Sequence, residues 1–115
     1  RKILFMSERD AGLLLADLLE SAHKILLYTD GVTFEQFMTD SKTKDAVIRN
    51  FEIIGEAANR LPADFKNKHL HIDWQRIRGL RNRIVHEYFG IDYSIVWNIK
   101  EAYLPILIED LQRIK

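Results

Sequence analysis

The chain has 115 residues, of which 47% are hydrophobic, a size and composition that suit one domain with a core of its own. It contains no cysteine, which excludes disulfides, thiolate metal sites and cysteine nucleophiles and favours a reducing, cytoplasmic location. Its 17 basic and 17 acidic residues balance, so any contact with RNA must come from a local basic patch. No apolar run approaches the roughly 20 residues of a membrane span. We therefore expect a cytoplasmic domain over residues 1–115 without a membrane segment.

Apolar residues recur at helical spacing along the whole chain, and no segment is predicted to form a strand. A first helix is predicted from Ser7, a suitable N-cap, to a stop at Gly31. Thr33 then caps a short helix over residues 34–40. The apolar face of the first helix is wide and consists of Leu14, Leu15, Leu18, Leu19, Ala22, Ile25 and Leu26.

A long helix is predicted from a cap at Asp40 or Ser41 to a stop at Pro62. The small side chains around Gly55 would let a second helix approach closely. Residues 62–73 are predicted to form a loop with at most one helical turn. The buried stripe of the long helix consists of Val47, Ile48, Phe51, Ile54, Gly55 and Ala58.

Two more helices complete the prediction. Asp73 is a good N-cap for a helix that ends at Gly90, and Asp92 caps a last helix that continues to the end of the sequence. Pro105 lies inside this last helix and should kink it, because proline removes a hydrogen bond and crowds the preceding turn. The sequence therefore predicts an all-α fold, an up-and-down bundle of four main helices plus a short one.

The helix over residues 73–90 carries a dense group of polar side chains. At about 100° per residue, Arg78, Asn82 and His86 form a polar stripe at spacing i, i+4, i+8. Asn82 and His86 are then neighbours that can share a hydrogen bond or a ligand. The core-facing arc beside this stripe spans about 140° and holds Trp74, Ile77, Leu80, Ile84, Val85 and Tyr88.

Arg81 projects into the middle of this apolar arc. An unpaired buried guanidinium costs several kcal/mol, so we expect Arg81 to meet a carboxylate, helix-end carbonyls or a cleft. Glu52 and Glu56 on the preceding helix are candidate partners. Arg81 and His86 lie about 140° apart on an ideal helix, so one straight helix cannot easily direct both side chains at a single atom. Two copies of the helix that face each other across a two-fold axis could border one shared cleft.

The ordinary alternative is a solvated helix face. Its arginines would form surface ion pairs, and His86 would stabilise the dipole at a helix C-terminus. Tyr88 would then be an aromatic residue at the edge of the core. This interpretation leaves the position of Arg81 unexplained, so periodicity alone does not decide between a charged face and a site.

The stretch RNRIVHEY, residues 81–88, resembles the signature of HEPN-domain proteins of the HepT type. That signature has an arginine, a polar residue, a gap to a histidine, and a tyrosine two positions later. The segments NFEIIGEAANRLP, IDWQRIRGLRNRIVHEYFGID and VWNIKEAYLPIL resemble the same family. The resemblance extends over essentially the whole chain, from the first predicted helix to the end.

This resemblance implies a homodimeric helical domain that acts as a metal-independent endoribonuclease, the toxin of a type II/VII-like toxin–antitoxin pair. Arg81, Asn82 and His86 would act in a cleft at the dimer interface. The implied partner is a MntA-type nucleotidyltransferase antitoxin that transfers AMP to Tyr88 and silences the toxin. ATP and magnesium would belong to that antitoxin, and this chain would hold no metal or cofactor. Because some relatives do not cleave RNA, the alternative is a non-catalytic nucleotide-binding or scaffold partner of the nucleotidyltransferase.

The residue types suit cleavage of RNA, whose 2′-hydroxyl is an internal nucleophile. His86 can act as base or acid near neutral pH, and Arg81 can donate two hydrogen bonds to a phosphate. Asn82 can orient the imidazole or hold the phosphate. Arg78 and Arg83 would guide the RNA backbone through salt-sensitive contacts.

Overall fold

The computed structural model describes residues 8–86 and 90–114 and is mostly helical. Two short strands, β1 (Val85–His86) and β2 (Gly90–Ile91), pair antiparallel. The predicted all-α class is confirmed in that the described residues are mostly helical. The prediction that the chain contains no strand was wrong. The helical segments are α1 (Glu8–Tyr28), α2 (Phe34–Met38), α3 (Ser41–Arg60), α4 (Ala63–Asn67), α5 (Trp74–Arg78), α6 (Leu80–Ile84), α7 (Tyr93–Asn98), a π-helix (Ile99–Tyr103) and α8 (Leu104–Gln112).

The two longest helices, α1 and α3, pack along each other and form the centre of the core. Their predicted apolar faces are confirmed, because the predicted residues are buried or packed against the buried cluster. The short helices α5 and α6 lie against α3, and α8 lies against α1. A Cβ added at Gly55 would lie 3.9 Å from the carbonyl oxygen of Ile77, an ordinary van der Waals distance, so α5 packs against α3 at this glycine.

The predicted helix starts are confirmed wherever they fall within the described residues. In each case the capping oxygen accepts a hydrogen bond from a backbone N–H of the first turn, a contact that contributes about 1 kcal/mol to a helix. Ser7, predicted to cap α1, lies outside the described residues. The observed capping residues are Thr33 for α2, Asp40 for α3, Asp73 for α5 and Asp92 for α7.

The last predicted helix is interrupted just before Pro105, as its sequence predicts. Proline has no N–H to donate to the carbonyl of Glu101, four residues earlier. The chain widens into a π-helix over Ile99–Tyr103, and the N–H of Leu104 donates to the carbonyl of Ile99. Pro105 then lies in the first turn of α8, where a missing donor costs least.

Within residues 8–86 and 90–114, no helix combines the length and apolar character that a membrane crossing requires.

Candidate functional site

The polar residues of segment 73–90 are carried by two short helices and a strand, so the predicted continuous helix was wrong. Gly79 separates α5 from α6 with φ −85° and ψ 0°, and this ψ is far from the α-helical value of about −42°. Helix α6 ends at Ile84, and Val85 adopts extended angles of φ −106° and ψ 122°. Two consecutive β-branched residues at this point favour the extended backbone.

The backbone of His86 is fixed by strand pairing. Val85 lies opposite Ile91, and His86 lies opposite Gly90. Gly90 has φ +77°, a left-handed conformation that glycine adopts without steric cost, so it belongs to a strand and does not terminate a helix as predicted. The side chain of His86 and all of Tyr88 lie outside the described residues.

This change of secondary structure corrects the predicted polar stripe. Arg78 and Asn82 remain neighbours and line one cleft, but His86 has left the helix and no longer continues their row. The angle of about 140° between Arg81 and His86 assumed one straight helix. It therefore no longer provides an argument for a two-fold axis.

Arg81 is exposed, and the prediction that it lies inside the apolar arc was wrong. The buried residues of α6 are Leu80 and Ile84, and the break at Gly79 places the Arg81 side chain beside them, at the junction with α3. There it meets a cleft, one of the three environments expected for it. This acidic cleft has a volume of about 300 Å³ and is lined by Glu52, Gly55, Glu56, Asn59, Arg78 and Arg81.

The two carboxylates of the acidic cleft do not form ion pairs with its arginines. Glu52 instead pairs with Arg49 at 3.6 Å, one turn earlier on α3. Among the described residues, no carboxylate lies within ion-pair distance of Arg78 or Arg81. Both guanidinium groups can therefore accept an anionic ligand without first breaking an ion pair with a described residue.

Arg78 and Asn82 border a second cleft on the other side of Arg78. This amide cleft has a volume of about 290 Å³ and combines side-chain amides with one guanidinium. All of its donors suit phosphate oxygens, because amide N–H and guanidinium N–H groups bind them directly. Its lining residues are Asn59, Gln75, Arg78, Gly79 and Asn82.

Arg78 also borders a third, larger cleft between α4 and α5, of about 860 Å³, which we call the lysine cleft. Lys66 of α4 is half-buried there. Burial lowers the pKa of Lys66, and the positive charge of Arg78 lowers it further. Lys66 could not be identified from the sequence, because it lies in a segment predicted to be a loop, 12 positions before Arg78. Periodicity on one helix cannot detect a contact between two elements.

Arg83, also predicted to bind RNA, does not line these three clefts. It lies near Tyr103, where its charge partly opposes the rise that burial causes in the pKa of this phenol. On this side of the molecule the guanidinium of Arg76 stacks on the Tyr103 ring at 3.9 Å. The structure therefore separates Arg83 from Arg78 and Arg81.

Within the part of the chain that the structure describes, no group of three or more acidic and histidine side chains is arranged to hold a metal ion. His69 and His71 precede α5, and each contacts a neighbouring group of the protein. His69 packs against the ring of Phe65 at 4.7 Å, and His71 Nε2 lies 3.3 Å from the carbonyl oxygen of Asp110.

These observations define a helical domain in which the exposed Arg81 borders the acidic cleft and the exposed Asn82 borders the amide cleft, with the backbone of His86 on an adjoining strand. A model of the family described as "Ribonuclease HepT-like" matches residues 18–114. The chain belongs to this ribonuclease family, as the resemblance in its sequence predicted, and the family implies RNA as the substrate.

Similar proteins support the same assignment. A Methanocaldococcus jannaschii protein named "Putative RNase" is 40% identical over 109 residues, which cover 95% of this chain and 90% of that protein. The "Probable ribonuclease HepT" of Thermococcus cleftensis is 37% identical over 101 residues, 88% of this chain and 92% of that protein. No solved structure matches the chain.

Proposed function

We propose that this protein is a metal-independent endoribonuclease and the toxin of a toxin–antitoxin pair. The observation that carries the proposal is the exposure of Arg81 at the edge of a cleft, without a carboxylate partner among the described residues, in a chain that belongs to a ribonuclease family. Neither Arg78 nor Arg81 has a carboxylate partner among the described residues, so both are available to RNA.

The proposed reaction uses the 2′-hydroxyl of RNA as the nucleophile. The 2′-oxygen attacks the adjacent phosphorus while its proton passes to a base, and the bond from phosphorus to the 5′-oxygen breaks as that oxygen receives a proton. The products are a 2′,3′-cyclic phosphate and a free 5′-hydroxyl. His86 acts as base or acid, since an imidazole is present in both forms near neutral pH.

Arg81 and Asn82 stabilise the crowded phosphorane in this scheme. Guanidinium and amide donors oriented at the phosphate stabilise developing negative charge, a contribution that other nucleases obtain from metal ions. Arg78, which borders both clefts of the motif, holds the RNA backbone beside the reacting phosphate. The proposed chemistry needs no metal or cofactor in this chain.

Cleavage of a single-stranded RNA oligonucleotide by the purified protein, in the presence of a chelator, tests this proposal. The matching DNA should remain intact because it lacks the 2′-hydroxyl. His86→Ala should cleave at least about 100-fold more slowly than the wild type, because a general acid or base usually contributes at least this factor. Arg81→Ala should lose a comparable factor through weaker stabilisation of the phosphorane.

Matched controls are His23→Ala and Arg113→Ala, which remove an exposed histidine of α1 and an exposed arginine that directly follows α8. Both controls should cleave at the wild-type rate, and circular dichroism should show that all variants are folded. Equal cleavage by His86→Ala and wild type would exclude His86 from catalysis. A wild-type protein that binds a nucleotidyltransferase but cleaves no RNA would favour the alternative of a non-catalytic partner.

The proposal includes silencing by a MntA-type nucleotidyltransferase that transfers AMP to Tyr88. Tyr88 is two residues from His86, so an added AMP would bring a negative charge and considerable bulk close to the reacting phosphate. Co-expression with such an enzyme should raise the intact mass in steps of one AMP and suppress cleavage. Tyr88→Phe should show neither the mass steps nor the suppression, and an unchanged mass pattern in this variant would place the modification elsewhere.

A further inference from the structure

The lysine cleft forms where α4 and α5 meet, and Arg81 does not line it. It shares Arg78 with the acidic cleft, and both Gln75 and Arg78 with the amide cleft. Lys66 and Asn67 from α4 face Gln75 and Arg78 from α5. A surface of cations and amide groups therefore continues from the motif into this larger cleft.

The two cations of the lysine cleft are close enough to affect each other. Burial lowers the pKa of the Lys66 amine most, and the positive charge of Arg78, which lines the same cleft, lowers it further, so the two like charges repel each other. In the described residues, neither side chain forms an ion pair that would offset this repulsion. The cleft also contains Asp73, but its carboxylate accepts the backbone N–H of Arg76 at 3.1 Å as the cap of α5. A bound anion would relieve the repulsion.

We propose that Lys66 and Arg78 form a second phosphate-binding subsite, which holds the RNA strand one or more nucleotides away from the phosphate at Arg81 and Asn82. This inference rests on the proposed ribonuclease function and extends it by giving the path of the substrate. RNA fits better than an acidic protein surface because the cleft is concave and continuous with the motif. Its wall also includes the exposed side chain of Leu70, 73% accessible, against which an unstacked base can pack.

The subsite is tested by the kinetics of Lys66→Ala on a single-stranded RNA that extends several nucleotides on both sides of the cleavage site. KM should rise about three- to tenfold, as expected for one lost phosphate contact, while kcat stays at the wild-type value. The slope of log KM against log salt should become shallower by about 0.7, the value for one contact on a single strand. Lys66→Arg should restore both quantities.

The matched control is Lys68→Ala, which removes an exposed lysine two residues away that does not line the cleft. This variant should keep the wild-type KM and salt slope, and thermal unfolding should show that both alanine variants are folded. If Lys66→Ala and Lys68→Ala have equal KM values and equal salt slopes, the subsite is wrong. A Lys66→Ala variant with normal RNA kinetics but weaker binding to a nucleotidyltransferase would assign the cleft to that protein and also overturn the proposal.

Binding of a 2′-O-methyl RNA of the same sequence separates this inference from the proposed function. This probe has the phosphates but no free 2′-hydroxyl, so fluorescence anisotropy measures its affinity without cleavage. If the wild type cleaves nothing, but Lys66→Ala still weakens binding of the probe relative to Lys68→Ala, the subsite stands and the ribonuclease proposal fails. If cleavage is normal and probe affinity is unchanged by Lys66→Ala, the subsite alone fails.

Discussion

Arg76 and Tyr103 connect the motif-bearing helices to the last part of the bundle. The guanidinium of Arg76 stacks on the ring of Tyr103 at 3.9 Å, and Tyr103 itself is 8% exposed. Such a cation–π contact contributes roughly 0.5–1 kcal/mol at a partly exposed site. Because Arg76 belongs to α5 and Tyr103 to the π-helix, this pair helps to fix the position of α5, which carries Arg78.

Tyr103 should make the stability of the protein fall at high pH. Burial raises the pKa of the Tyr103 phenol above its ordinary value of 10.0, although the charge of Arg76 opposes this rise. The folded protein therefore keeps this proton to a higher pH than the unfolded chain does. This contribution to stability is complete below about pH 10 and is lost as the pH rises through the folded-state pKa.

Urea unfolding at about pH 8 and at about pH 11 measures this effect. The wild type should lose free energy of unfolding between the two conditions, and Tyr103→Phe should lose less of it. Burial also raises the pKa of Tyr93, so Tyr103→Phe should still lose part of its free energy of unfolding at alkaline pH. An identical loss in wild type and Tyr103→Phe would show that the phenol does not contribute.

At the scale of elements, local signals in the sequence predicted the helix starts and the apolar faces well. A capping aspartate needs only the backbone N–H groups of the next turn, so Asp73 and Asp92 could be identified singly and Asp40 as one of two candidates. The sequence also predicted a kink at Pro105, and the structure shows a π-helix over Ile99–Tyr103, just before this proline. Properties that depend on a few neighbouring residues are thus readable from the sequence.

The end of the motif helix depends on tertiary packing and was predicted incorrectly. Residues 73–90 have helical spacing throughout, yet the helix breaks at Gly79 and ends at Ile84. Strand β2 follows the motif and pairs with Val85 and His86. Its Gly90 has a φ of +77°. Periodicity cannot reveal this pairing, because Gly90 looks equally suitable as a helix stop.

Part of the geometry around the candidate site was predicted from the sequence. The neighbours Arg78 and Asn82 line one cleft, as their spacing of four predicts, and Arg81 meets a cleft beside Glu52 and Glu56. The catalytic roles of Arg81, Asn82 and His86 remain predictions. Lys66 could not be found, because its proximity to Arg78 arises from the packing of α4 against α5.

At the scale of the whole molecule, a balanced total charge is compatible with a local row of basic side chains. The sequence has equal numbers of acidic and basic residues, but Lys66, Arg78 and Arg81 lie along connected clefts. Glu52 and Glu56 line the cleft that Arg78 and Arg81 share, and Asp73 lines the lysine cleft, so carboxylates adjoin this row along its length. We therefore expect these cations to bind an RNA backbone at only moderate strength and with strong sensitivity to salt.

The proposed homodimer makes a prediction about mixed subunits. If two copies of the motif border one cleft across a two-fold axis, each subunit contributes to a single site, and one His86→Ala subunit should inactivate its dimer. With equal amounts of wild-type and His86→Ala chains and complete exchange, about a quarter of the dimers are fully wild type under random pairing, so about a quarter of the activity should remain.

Independent sites in each subunit would instead leave about half of the activity, because each wild-type subunit would act regardless of its partner. The measurement therefore compares cleavage rates across mixing ratios, with light scattering to establish the dimer and a tagged chain to confirm exchange. Arg113→Ala, mixed in the same way, controls for losses during exchange and should leave the rate unchanged. A linear decline with the fraction of His86→Ala would exclude the shared cleft, and a decline with the square of the wild-type fraction would support it.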